Sequence, residues 1–132
     1  MAPIVGGRAS RVKGATGERE FFALSNRLTE SLHYKYRDKQ GRIFMRHPAP
    51  RHCEGQSDNH DALGVLPVSI EVKRCERLNL PRWIEQVREQ AREHQTPVLA
   101  YRQNEKPWAI LAVMDEDEWQ RYLYWKLAGV TR

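Results

Sequence analysis

An α/β fold, with a central mixed β-sheet flanked by helices, is what the sequence predicts, and three observations carry it. Helix-like and strand-like hydrophobic periods alternate along the chain in the order helix, strands, helix, strands, helix. The strand candidates are short apolar runs bounded by turn formers, and the helix candidates each have one apolar side. The 132 residues, 40% of them hydrophobic, are enough to bury one core and too few for a second complete one.

Each element has its own reason. Residues 1–15 are rich in Gly, Ala and Ser, carry Arg8, Arg11 and Lys13, and lack an apolar period, which predicts a flexible basic arm before a single domain over residues 16–132. "TGEREFFALSNRLTESL" sets Phe21, Leu24, Leu28 and Leu32 at helical spacing. Thr16 is a candidate cap, and Glu18 and Glu20 sit in the first turn, where the helix dipole favours anions. "LHYKYRDKQGRIFMR" alternates aromatic and basic residues about a glycine, the pattern of a hairpin or of two short strands. "HPAPRHCEGQSDNH" has the composition of a loop.

"DALGVLPVSIEVK" contains two apolar runs split by Gly64 and Pro67, which predicts a tight hairpin. Pro81 opens "PRWIEQVREQAREH", a helix with Trp83, Ile84, Val87 and Ala91 on one side. "TPVLAYR" and "PWAILAV" flank the turn "QNEK" as strands. "DEDEWQRYLYWKLAG" closes the chain as a helix capped by Asp115 and stopped at Gly129.

Lys and Arg outnumber Asp and Glu by 22 to 17, a formal charge of +5 that suits a polyanionic partner. Cys53 and Cys75 lack the spacing of a disulfide framework or a zinc ribbon. The N-terminal stretch has no signal-peptide core and no segment reaches membrane length, so a cytoplasmic protein is expected.

A hairpin turning through Val65, Leu66 and Pro67 sets Asp61 opposite Glu71. Two carboxylates with Cβ atoms roughly 5 Å apart repel, and a hard divalent cation would offset the repulsion. Lys73 shares the face of Glu71 because strand side chains alternate with period two. By itself an Asp followed at a distance by Glu-x-Lys is a loose pattern whose ordinary reading is a solvated strand face.

The wider pattern resembles the PD-(D/E)xK nuclease superfamily, and within it the small Holliday-junction-resolvase-like endonucleases of phages and prophages. The resemblance rests on "KGATGERE", "DALGVLPVSIEVKR", "ERL", "WIEQVREQA" and "PVLAYRQNEKPWAILAV", spanning about Lys13 to Val113. It implies a restriction-endonuclease-like core, with Asp61 and Glu71 as metal ligands, Lys73 as the catalytic lysine and Glu18 completing the acidic site. Gln86 or Gln90 would be the glutamine that many relatives aim at the site; Gln86 is taken here. Where the family often has Gly-Gly-Ala-Asp-Ile or Pro-Asp, this chain has "SDNHDALG", so Asp58 rivals Asp61, and the hairpin register favours Asp61.

His47, His52, Cys53 and His60 cluster in the loop but match no closed zinc pattern. Arg74 and Arg77 are candidate phosphate contacts beside the site, with Arg8, Arg11 and Lys13 on the arm. Tyr34, Lys35, Tyr36 and Arg37 suit a nucleic-acid-facing strand or an ordinary sheet edge. Trp83, Trp108, Trp119 and Trp125 fit core or interface anchors, and the aromatic surplus of the last helix suggests a dimer contact.

The function expected is a Mg²⁺-dependent endonuclease, with Mn²⁺ as a substitute, that cuts branched DNA as a homodimer. The alternatives are a DNA-binding module of the same fold without the reaction, or a small interaction protein that uses its last helix.

Overall fold

The computed structural model describes residues 8–48 and 56–130, with side chains for 14–48 and 56–129. Among these residues three helices and three strands follow in the order α1 (Arg8–Leu28), β1 (Val68–Arg74), α2 (Leu80–Gln90), β2 (Thr96–Arg102), β3 (Ala109–Ala112) and α3 (Glu116–Val130). The mixed sheet has the order β1-β2-β3, with β1 parallel to β2 and β2 antiparallel to β3. A parallel pair needs a crossover, and α2 is that crossover.

Strand alternation divides the core between two faces. Ile70, Val72 and Ala100 meet Phe21 and Phe22 of α1, while Leu99 meets Trp83 and Val87 of α2. The sheet is thus covered on both sides, as a parallel β-α-β unit requires. Pro81 stands in the first turn of α2, where its missing N–H removes nothing from the helix. Asp115 caps α3 by accepting the Glu118 N–H at 2.8 Å. No helix among the described residues is long and apolar enough to cross a membrane.

Several expectations are corrected. The helix expected from Thr16 begins at Arg8, so Arg8, Arg11 and Lys13 belong to its opening turns rather than to an irregular arm; their side chains lie outside the described residues. Leu28 and Leu32 are 69% and 56% exposed, because the inward side of α1 is set by Phe21, Phe22 and Leu24. No hairpin forms in residues 32–46. Arg37 donates to the carbonyls of Thr29, Leu32 and Gly41, and Asp38 accepts the N–H groups of Gln40 and Arg42, so these side chains satisfy backbone that a strand partner would otherwise bond. Helix α2 ends at Gln90, with Ala91 already extended, and α3 runs through Gly129 to Val130.

The hairpin expected about Gly64 and Pro67 is also absent. Asp61 instead closes its own turn: its Oδ1 accepts the Val65 and Leu66 N–H groups at 3.0 and 3.3 Å, and its carbonyl accepts the Gly64 N–H. Gly64 has φ +66°, a conformation glycine adopts without strain.

Candidate active site

Strand β1 is an edge strand, and its outer edge is covered by residues 58 and 59. The Asp58 N–H donates to the Ile70 carbonyl at 2.8 Å, the Ile70 N–H donates to Asn59 Oδ1 at 2.7 Å, and the Val72 N–H donates to Asp58 Oδ2 at 2.7 Å. Two side chains therefore do part of what a neighbouring strand would do. A bridge from Asn59 to Arg46 and a hydrogen bond from the His60 N–H to the Met45 carbonyl extend the pairing outward.

Between those two backbone contacts lies Glu71, 5% exposed. Its register partner is Leu99 and that of Lys73 is Tyr101, so both point to the face that carries α2. Lys73 Nζ lies 3.1 Å from Glu71 Oε1 and 5.9 Å from the centre of the Trp83 ring. Glu18, also 5% exposed, comes from α1, and its Oε2 is 3.5 Å from Arg46 Nε.

Asp58 binds these groups into one electrostatic unit. Burial pushes its carboxyl up to about 8, the Glu71 charge adds to the rise, and the Val72 N–H opposes it; Glu18 raises it further and Lys73 lowers it. Like charges gathered out of water thus keep a proton on one of the carboxylates at neutral pH.

The hairpin register that favoured Asp61 over Asp58 does not form. Asp61 is tied to its own turn and to Gln95, whose Nε2 donates to its Oδ2 at 3.3 Å, and Asp58 is the residue brought beside Glu71. Gln86 lines a cleft of about 550 Å³ together with Lys73, Arg82 and Trp83, whereas Gln90 lines a different one with Asp61 and His47. Arg74 is held by the fold: its Nε is 3.7 Å from Glu20, its Nη1 donates to Asn104 at 2.9 Å, and its side chain is only 15% exposed. Arg77 is exposed just beyond β1.

The loop histidines resolve into a pair. His47 Nε2 is 2.7 Å from the Ser57 carbonyl and must donate to it, so in the neutral ring His47 Nδ1 accepts from His60 Nδ1 at 3.3 Å. His52 and Cys53 lie outside the described residues, among which no three His, Cys, Asp or Glu side chains are grouped to hold a metal ion. Magnesium does not demand such a set, since it takes one or two carboxylates and completes its shell with water and phosphate oxygens. Asp58 and Glu71 fit that need: they are hard oxygen donors, side by side, with repulsion that a dication would relieve.

Residues missed by sequence reasoning are Asn59, Arg46 and Asn26. Asn59 is fully buried, and Asn26 Oδ1 accepts the Ile43 and Phe44 N–H groups, both at 2.9 Å. The only local signal was the Asp-Asn pair in "SDNH", residue types whose side chains often bond backbone.

Comparison with protein-family models, with curated proteins and with solved structures finds no match to this chain.

Proposed function

We propose that the chain is a Mg²⁺-dependent endonuclease that hydrolyses phosphodiester bonds in DNA, with branched DNA as its substrate. A single observation carries the reading: Glu18, Asp58, Glu71 and Lys73, from three separate segments, form one mostly buried charged cluster at the edge of β1. Asp58 and Glu71 would hold the cation, which when bound would supply Lewis-acid activation of water and neutralise charge on the scissile phosphate. Lys73, fixed by Glu71 and leaning on Trp83, presents an ammonium group to the same space, where it stabilises negative charge developing on phosphate oxygens. Gln86 borders the cleft that Lys73 opens into and orients water or phosphate there. Arg77 and the basic start of α1 add charge for the DNA backbone.

A homodimer belongs to this reading. Trp119, Tyr124, Trp125 and Leu127 of α3 are 50–69% exposed, an apolar surface that a second copy of the chain would cover.

Cleavage of a synthetic four-way junction and a matching duplex, in Mg²⁺ and in Ca²⁺, tests the proposal. Asp58→Asn, Glu71→Gln and Lys73→Ala are each expected to lower the Mg²⁺-dependent rate by at least about a hundredfold, while Asp61→Asn retains it wherever the fold is intact. Metal-independent cleavage, or full activity in Asp58→Asn, would overturn the assignment.

A further inference from the structure

A second cleft, of about 590 Å³, opens on the α1 side of the acidic cluster. Arg19 and Phe22 of α1 line it together with Arg42, Phe44, Met45 and Arg46 of the following segment. Arg19, Phe22 and Asn26 stand at steps of three and four, so α1 turns one continuous stripe towards the cleft. The opposite wall is rigidly placed, because Asn26 accepts the Ile43 and Phe44 N–H groups and donates to the Phe44 carbonyl at 2.7 Å.

The lining has one sign of charge. Three guanidinium groups border the cleft, and among the described residues no carboxylate does. Among the described residues Arg42 pairs with Asp38, at 2.9 Å near the surface, an ion pair too weak to hold it against a phosphate. Arg46 reaches Glu18 at 3.5 Å and so joins the cleft to the acidic cluster. The floor is apolar, with Phe22 and Phe44 packed into the α1 core and Met45 half-buried beside them.

A duplex presents phosphates on its convex outside and keeps its base faces stacked, so it cannot fill a concave apolar floor. A nucleotide out of the stack can, since its base offers an apolar face while its phosphates meet the arginines. The volume lies within the ~300–1,000 Å³ of sites that enclose small organic groups. We propose that this cleft receives one unpaired nucleotide of the substrate, next to the scissile phosphate. The base lies against Phe44 and Met45, and Arg19 and Arg42 hold the flanking phosphates. Arg46 steers the strand towards Glu18. The assignment rests on the nuclease reading and narrows its substrate to DNA with a single-stranded segment at the branch or end.

Fluorescence anisotropy in Ca²⁺ tests it, with a labelled blunt duplex and the same duplex carrying a short single-stranded tail, against the wild type, Arg19→Ala and Met45→Ala. The tail is expected to tighten wild-type binding by about tenfold, a gain of the size of one stacked base, and each substitution to shrink that ratio towards one. Equal affinity of the wild type for both DNAs overturns the proposal, as does a tail preference undiminished in both variants. Cleavage in Mg²⁺, followed in parallel, separates the two readings. Metal-dependent cutting without a tail preference removes the cleft assignment alone, and a cleft-dependent preference with no cutting of any DNA removes the nuclease reading alone.

Discussion

Asp58 is one carboxyl group with two demands on it. It completes the edge of β1 by accepting the Val72 N–H, and burial beside Glu71 pushes its pKa up to about 8 from an ordinary 3.8. A group whose folded pKa is raised stabilises the fold fully below its unfolded value and loses that contribution as pH climbs through the folded one. In EDTA the wild type is therefore expected to lose urea resistance between about pH 4 and pH 8. Asp58→Asn keeps an acceptor for Val72 without the charge, so its profile should be flatter over that range and its midpoint higher at pH 8. Mg²⁺ should raise the wild-type midpoint and leave that of the variant unmoved. Identical pH slopes in the two proteins would show that Asp58 is not the proton-holding member of the cluster. Its neighbour on β1 was legible from sequence, because period two alone puts Glu71 and Lys73 on one face. Asp58 was not, because it stands only three positions before Asp61 in a turn-rich stretch and only contacts with β1 distinguish them.

Among the elements, α1 is the one whose placement decides the site. It approaches β1 so closely that a Cβ on Gly17 would stand 2.6 Å from Arg74 Cβ. Glu18 follows directly, so the same close approach brings its carboxylate to the edge of β1. Gly17→Ala is expected to push the helix outward, at a cost of about 1–3 kcal/mol in chemical denaturation. Cleavage should fall further than that loss of stability explains, because Glu18 moves with the helix. An unchanged midpoint would mean that α1 shifts without strain. The ion pairs of Glu20 with Arg74 and Arg102, at 3.7 and 3.3 Å, tie the same helix to β1 and β2. They engage Arg74, which its place beside Lys73 in the sequence had suggested for DNA.

For the whole molecule, the charge and the last helix set what it meets. Replacing Arg8, Arg11 and Lys13 together by alanine is expected to weaken DNA binding and to reduce the slope of log affinity against log salt by up to about 3, one counterion for each lost phosphate contact. An unchanged slope would show that the start of α1 does not touch DNA. Helix α3 stacks Trp119 on Tyr122 with ring centres 5.7 Å apart, and Trp125 follows at 6.0 Å, leaving a ridge of aromatic surface. Sedimentation is expected to show a dimer that Trp119→Ala with Trp125→Ala converts to monomer. A wild-type monomer at working concentration would remove the dimer from the reading and leave the chemistry of the β1 edge intact.

By itself the sequence determined the α/β order, the extents of β2 and α2 to within a few residues, and the shared face of Glu71 and Lys73. These depend on hydrophobic period and on turn residues, which act over a few positions. The tertiary structure alone decided that residues 32–46 would stay irregular, that Gly64 would turn without pairing strands, and that Asp58 rather than Asp61 would join Glu71. The irregular segment and the Gly64 turn are held by side chains that bond backbone a few residues away, from Arg37, Asp38 and Asp61, whereas Asp58 finds the Val72 N–H 14 residues away and Asn26 finds that of Phe44 at 18. No local period records a bond of that kind, because its partner is chosen when the helix and the loop close on β1.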